Sequence, residues 1–117
     1  MVKLDKIYTR GGDGGETSLG DGSRVAKHSL RVHAQGDIDE TNAAIGLARR
    51  FTDPDDVCDA ILARIQNDLF DLGADVTSPG NDHADGKLRI KPAQIDRLER
   101  EIDTANESLE PLRSFIL

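Results

Sequence analysis

Six of the chain's eleven glycines fall between positions 11 and 22, in the run GGDGGETSLGDG. No other feature limits the fold so strongly. Glycine loses more backbone freedom on ordering than any other residue, so this density excludes a helix or a central strand there. The run must extend and turn, with backbone N–H groups free to meet a ligand. The residues that follow, SRVAKHSLRVHAQG, show no clear period and read as loop or short irregular structure. A merely flexible tail is the competing reading of the same composition.

From Asp37 the pattern turns helical. DIDETNAAIGLARRF has no proline, and Ile38, Ile45 and Ala48 recur at helical spacing. Asp53-Pro54 then reads as an N-cap followed by proline at the first helical position. Val57, Ile61, Ile65 and Leu69 step every four residues, with Cys58, Leu62 and Leu72 widening the stripe and Gly73 ending it. Cys58 on that stripe is a core residue. VTSPGNDHADGK is a loop by composition. A third helix opens at Pro92, lines its inner face with Ile95, Leu98, Ile102 and Ala105, and breaks before Glu110-Pro111. Three long helices with such connections give an all-α, up-and-down helical bundle carrying a glycine-rich N-terminal segment. The 117 residues form a single domain, with a head over residues 1–35 and a helical body over 36–117.

Charge separates the same two parts. The net charge is −7, yet residues 1–35 hold six basic and four acidic side chains, against nine and eighteen in residues 36–117. An acidic body excludes a general nucleic-acid surface, whose footprint is basic. Three Phe, one Tyr and no Trp leave no stacking platform for single strands. About a quarter of the residues are Leu, Ile, Val or Phe, enough for a core. One cysteine excludes an internal disulfide and suits a reducing compartment. No apolar run spans a membrane and MVKLDKIY carries no secretory h-region, so the expected setting is cytoplasmic.

The local positive excess coincides with the glycines, which points to a small anionic ligand. Neither G-x-G-x-x-G nor G-x-x-x-x-G-K-[ST] is present, so no Rossmann turn or P-loop is supported. Thr9, Arg10, Gly12, Thr17 and Lys27 still offer hydroxyls, a guanidinium fork and a point charge around a pliant main chain. Asp39, Asn42 and Gly46 form an i, i+3, i+7 stripe that faces either a ligand or partner, or solvent. His28, His33 and His83 lack metal-ligand spacing and read as surface residues, so no metal site is expected.

KIYTRGGDGGETSLGDGSRVAKHSLRVHAQGDIDETNAAIG closely resembles the N-terminal signature of PduO-type ATP:cob(I)alamin adenosyltransferases. Members open with Thr-Arg/Lys-Thr-Gly-Asp-x-Gly, reach a basic segment ending in Lys, and enter the first helix through Gly-x-x-Asp-Glu-Leu-Asn. The final PLRSFIL is similar to the start of their Phe-x-Leu-Pro-Gly-Gly segment. The resemblance implies a homotrimer of five-helix bundles with ATP and corrinoid at the subunit interfaces. It places Thr9, Arg10, Gly11, Gly12, Thr17 and Lys27 on ATP and its triphosphate. It gives Asp39 an ion pair that shapes the corrinoid site, and sets Phe115 against the lower face of the corrin. Gly11 stands where the family has Thr, Thr41 where it has Leu, and His33 where Glu is common. The family's Arg-Arg-Ala-Glu-Arg motif and its last helices would follow Leu117.

The reaction so implied is displacement at the 5′-carbon of ATP by cobalt(I) of the substrate cobalamin, with triphosphate leaving alongside Mg2+. The protein's task would be to hold both reactants in line and neutralise the leaving group. A non-catalytic module that binds nucleotide or cobalamin is the rival, and a plain helical oligomerisation unit is a third reading.

Overall fold

The computed structural model describes residues 6–80 and 86–116, so His83 and Leu117 lie outside the described residues. Two short strands, β1 (Glu16–Ser18) and β2 (Arg24–Ala26), precede three helices: α1 (Leu30–Ala48), α2 (Val57–Val76) and α3 (Pro92–Asn106). A single 3-10 turn, Arg49–Phe51, extends α1. The strands pair antiparallel with Thr17 opposite Val25. The glycine-rich segment is therefore a small hairpin with turns on both sides. Glycine is kept out of the strands themselves.

Helix α1 starts at Leu30, seven residues before the point where apolar periodicity becomes visible. The half-buried positions along it are Val32, Gln35, Ile38, Asn42, Ile45, Gly46 and Arg49. Their spacing is helical, but four of the seven are polar or glycine, which hides the period from a hydrophobic pattern.

Helix α2 is capped by Asp56, whose carboxylate accepts the Cys58 N–H at 2.8 Å. Asp53-Pro54 forms the preceding turn, in which the Asp53 side chain accepts the Asp55 N–H and its carbonyl accepts the Asp56 N–H. The helix does not end at Gly73. It continues to Val76, and Gly73 is buried because a Cβ there would lie 2.9 Å from the Gln35 amide. Glycine at this position permits close packing of α1 on α2. Cys58 is exposed, on the first turn of α2 beside an equally exposed Val57, and is no core residue.

Helix α3 opens at Pro92, with the Gln94 side chain accepting the Lys91 N–H at 2.8 Å. It ends at Asn106, before the Glu-Pro pair. Leu98 is half-buried, while Ile95 and Ile102 stay more than half exposed. The three helices run antiparallel in sequence order. Arg31 donates to the Val76 carbonyl and Arg49 pairs with Asp59 at the two ends of the α1–α2 seam. Asp68 takes Gln94 and Arg97, and Arg64 takes Glu101, along α2–α3.

No hydrophobic side chain among the described residues is fully buried. The accessible surface is 9653 Å², against about 6,200 Å² for a folded monomer of this mass. The radius of gyration is 18.0 Å, against about 13 Å for a closed domain of this length. The helices form an open layer with apolar surface still to cover.

Candidate functional site

The head is built by turns that glycine makes possible. Arg10 sits at φ 59°, a left-handed conformation that is uncommon for a side chain of its size. Its carbonyl accepts the Asp13 N–H at 3.2 Å, and its guanidinium lies over the Tyr8 ring at 5.4 Å. Lys6, Tyr8, Thr9 and Arg10 line an open cleft of about 450 Å³. Thr9 Oγ1 accepts the Gly11 N–H at the outer limit of a hydrogen bond, 3.5 Å.

Gly12 is the position where the loop closes on a charge. A Cβ there would meet Lys27 Nζ at 2.8 Å and the Glu16 carbonyl at 3.1 Å. The absent side chain lets the Lys27 ammonium rest on the main chain. The Lys27 N–H donates to the Gly15 carbonyl at 2.9 Å, and Gly15 takes φ 87° to present it. The Gly12 and Gly14 N–H groups find no acceptor among the described residues. A backbone with free donors beside an ammonium is a fit for phosphate oxygens. No group of three or more His, Cys, Asp or Glu side chains that could hold a metal occurs among the described residues.

Thr9, Arg10, Gly11 and Gly12 thus share one loop, and Lys27, from the turn after β2, reaches it at Gly12. Thr17 sits mid-strand opposite Val25, half-buried, with no hydrogen bond from its hydroxyl to those residues. Asp39 is exposed on α1 and accepts from Gln35 Nε2 at 3.0 Å. Phe115 is 97% exposed. Neither Asp39 nor Phe115 is joined to the head by a hydrogen bond or ion pair among the described residues.

The stripe that includes Asp39 resolves into a third arrangement. Asn42 and Gly46 face neither ligand nor solvent; they face α2. Gln66 donates through Nε2 to the Asn42 carbonyl and to its Oδ1, both at 3.0 Å, and Asn42 Nδ2 returns a bond to the Gln66 carbonyl at 3.1 Å. A Cβ at Gly46 would lie 2.9 Å from Gln66 Nε2. Gln66 Oε1 accepts from Arg49, whose fork also holds Asp59 at 2.9 and 2.8 Å. Thr52 adds a further bond to Asp59 at 2.8 Å. The Arg49 guanidinium first, then the Thr52 hydroxyl, lower the Asp59 pKa to about 2. His28 and His33 are exposed, as the sequence indicates.

Two parts of the head were hidden in the sequence. Arg24 spends its guanidinium on the loop, bonding the Gly11 carbonyl at 2.9 Å and the Glu16 carbonyl at 3.2 Å. The Gly20 N–H donates to the Thr77 carbonyl at 2.7 Å, fastening the hairpin to the end of α2. The signal for the first was present: Glu-Thr-Ser and Arg-Val-Ala flank a Gly-Asp-Gly turn, and hairpin register would have set Arg24 opposite Ser18.

Fold and site together define a helical layer protein with a glycine-rich, cationic loop suited to phosphate. The chain belongs to the cobalamin adenosyltransferase family, whose sequence profile matches residues 7–117. A corrinoid adenosyltransferase from Mycobacterium leprae is 49% identical over 120 residues, covering 99% of this chain and 63% of that protein. The corrinoid adenosyltransferase PduO of Salmonella typhimurium is 41% identical over 95% of this chain and 33% of its own length. Among solved structures, a phenylalanine-to-alanine variant of a PduO-type ATP:corrinoid adenosyltransferase from Lactobacillus reuteri, complexed with cobalamin and ATP, superposes with a TM-score of 0.84. It is 32% identical, over 96% of this chain and 62% of that one. The chain therefore spans less than two thirds of the length of these relatives. No helix among the described residues is long and apolar enough to cross a membrane.

Proposed function

We propose that this protein transfers the 5′-deoxyadenosyl group of ATP to cob(I)alamin, giving adenosylcobalamin and triphosphate. The observation that carries the proposal is the Gly12–Lys27 cradle, where a bare main chain meets an ammonium inside the family's N-terminal motif. Arg10, Thr9 and Gly11 extend the same cradle, and Thr17 contributes from β1. Together they hold the triphosphate with its Mg2+ and stabilise charge as it leaves. The cobalamin substrate supplies the nucleophile, so the chain needs none. Asp39 forms the ion pair that shapes the corrinoid site, and Phe115 presses on the corrin.

The unit is one domain, and it works as a homotrimer with ATP and corrinoid at subunit interfaces, in the cytoplasm. What supports that assembly is the resemblance of the N-terminal signature to the PduO-type family. Light scattering should report three copies of the full-length protein; a monomer at micromolar concentration would remove the trimer from the proposal.

The activity is tested by mixing full-length protein, MgATP and chemically reduced cob(I)alamin. Adenosylcobalamin should form, seen in its visible spectrum, with one triphosphate released per turnover. ATP binding without triphosphate release would replace the enzyme by a non-catalytic nucleotide module.

A further inference from the structure

The head's positive excess is not all available to a ligand: Arg31 is taken by the Val76 carbonyl, and Arg24 by the glycine loop itself. The Arg24 guanidinium reaches across β1 to three oxygens: the Gly11 carbonyl at 2.9 Å, the Glu16 carbonyl at 3.2 Å and Ser18 Oγ at 3.2 Å. The Glu16 carboxylate stands 3.9 Å from Nε. Two of these acceptors are backbone carbonyls on opposite arms of the glycine loop.

We propose that Arg24 is a positioning residue for the triphosphate cradle: it braces the loop from behind and does not itself bind phosphate. This rests on the proposed nucleotide-binding role of the head. The peptide unit is planar and trans, so its C=O and N–H point opposite ways. Holding the Gly11 carbonyl on the guanidinium therefore turns the Gly12 N–H away from Arg24. Gly12 is the residue on which the Lys27 ammonium rests. The second bond, to Glu16, fixes the far arm, whose carbonyl lies 3.1 Å from the same Gly12 Cβ position. A loop with glycines at 11, 12, 14 and 15 would otherwise sample many shapes, and ligand binding would have to order it. Guanidinium chemistry suits this work. Its rigid planar fork can serve several acceptors at once, whereas an ammonium is a compact point charge.

The brace and a direct phosphate contact predict different behaviour for lysine at this position. If Arg24 met phosphate, Arg24→Lys would keep the charge and most of the affinity. A brace needs the fork, so Arg24→Lys should be as impaired as Arg24→Ala. In the full-length protein both variants should raise KM for MgATP about tenfold, the scale of one lost charge-assisted contact, with kcat within about twofold. Free guanidinium ion should lower KM for Arg24→Ala, and sodium chloride at equal ionic strength should not. Amide hydrogen exchange across residues 11–16 should quicken in both variants, while α2 keeps its protection. Far-UV circular dichroism should match the parent, since no helix depends on Arg24.

Wild-type KM in Arg24→Lys would overturn the brace in favour of charge alone. Wild-type KM and exchange in Arg24→Ala would return Arg24 to an ordinary surface residue. A fall in kcat with unchanged KM would also overturn it, because that marks a contact made in the transition state. If the parent protein binds no ATP, the nucleotide reading fails, and faster exchange at residues 11–16 then shows a loop brace without that role.

Discussion

The head and the α1–α2 seam use the same materials, a few arginines, amides and glycines, to opposite ends. In the seam, polar groups are consumed. Arg49 spends its fork on Asp59 and Gln66, Gln66 closes on Asn42, Gly46 lets Gln66 approach, and Gly73 lets Gln35 approach. In the head, Arg24 is spent in this way on the Gly11 and Glu16 carbonyls and on Ser18 Oγ, and Arg31 on the Val76 carbonyl. Among the described residues the Gly12 and Gly14 N–H groups have no acceptor, and Lys27 lies against bare main chain. A glycine excludes nothing by itself; what fills its missing side chain decides the outcome. An amide there makes a helix contact, and an ammonium there leaves a positive charge beside bare main chain.

The largest expected effect lies outside both regions and tests whether the corrinoid site is separate from packing. A core phenylalanine cut to alanine costs about 3–5 kcal/mol of stability. Phe115 is 97% exposed, so Phe115→Ala should leave thermal unfolding nearly unchanged. Adenosylation in the full-length protein should fall by at least about a hundredfold, or roughly 2.7 kcal/mol of barrier. A large drop in melting temperature with normal turnover would reverse the assignment.

Next in size, Lys27→Ala should weaken MgATP binding by about ten- to a hundredfold while sparing cobalamin affinity. Titration calorimetry with each ligand decides it. Unchanged ATP affinity would make the head no different from any other basic loop.

Gly73→Ala sharpens the contrast from the other side. Its new methyl would meet the Gln35 amide at 2.9 Å, the movable end of a flexible side chain, so the loss falls at the low end of overpacking costs, about 1 kcal/mol. Thermal or urea unfolding should show the loss, and ATP affinity of the folded fraction should hold. Equal damage to ATP binding would mean that the seam and the head are one site.

The smallest effect is a pH dependence. The Asp59 carboxyl titrates at about 2 in the fold, against about 3.9 in an unfolded chain. Its contribution is therefore complete above about pH 4 and lost as pH falls from there toward 2. Asp59→Asn should flatten that limb of the stability curve. An identical acid limb in the variant would place the acid sensitivity on other carboxylates.

The parts of this structure that could be read from sequence are those where one residue type has one meaning. Dense glycine at 11–22 has only turning conformations to offer, and Pro92 opens a helix because its missing N–H is not needed there. The α2 stripe is legible from Ile61 to Leu72, because it is apolar at every step. The start of α1 was not, because the face it buries is half amide and glycine. Gly73 misleads for a related reason. A glycine that ends a helix and one that admits a neighbour look the same until the neighbour is known. In the site, the motif residues of the loop were legible as a group, whereas Arg24 was one cation among several until its acceptors appeared.

The last turn of α2 has a further consequence. Its Thr77 carbonyl holds Gly20, its Val76 carbonyl holds Arg31 at the start of α1, and its Asp75 carboxylate holds Arg89 and the Ile90 N–H ahead of α3. Ser78 is buried against Gly20 in the same knot. Local opening of a protein proceeds in contiguous cooperative units. Fraying of this one turn releases the hairpin, the entry to α1 and the lead into α3 together. The hairpin is thus anchored through Gly20 to a hinge that also holds the entry to α1 and the lead into α3, and anything that stiffens that hinge stiffens the hairpin's attachment.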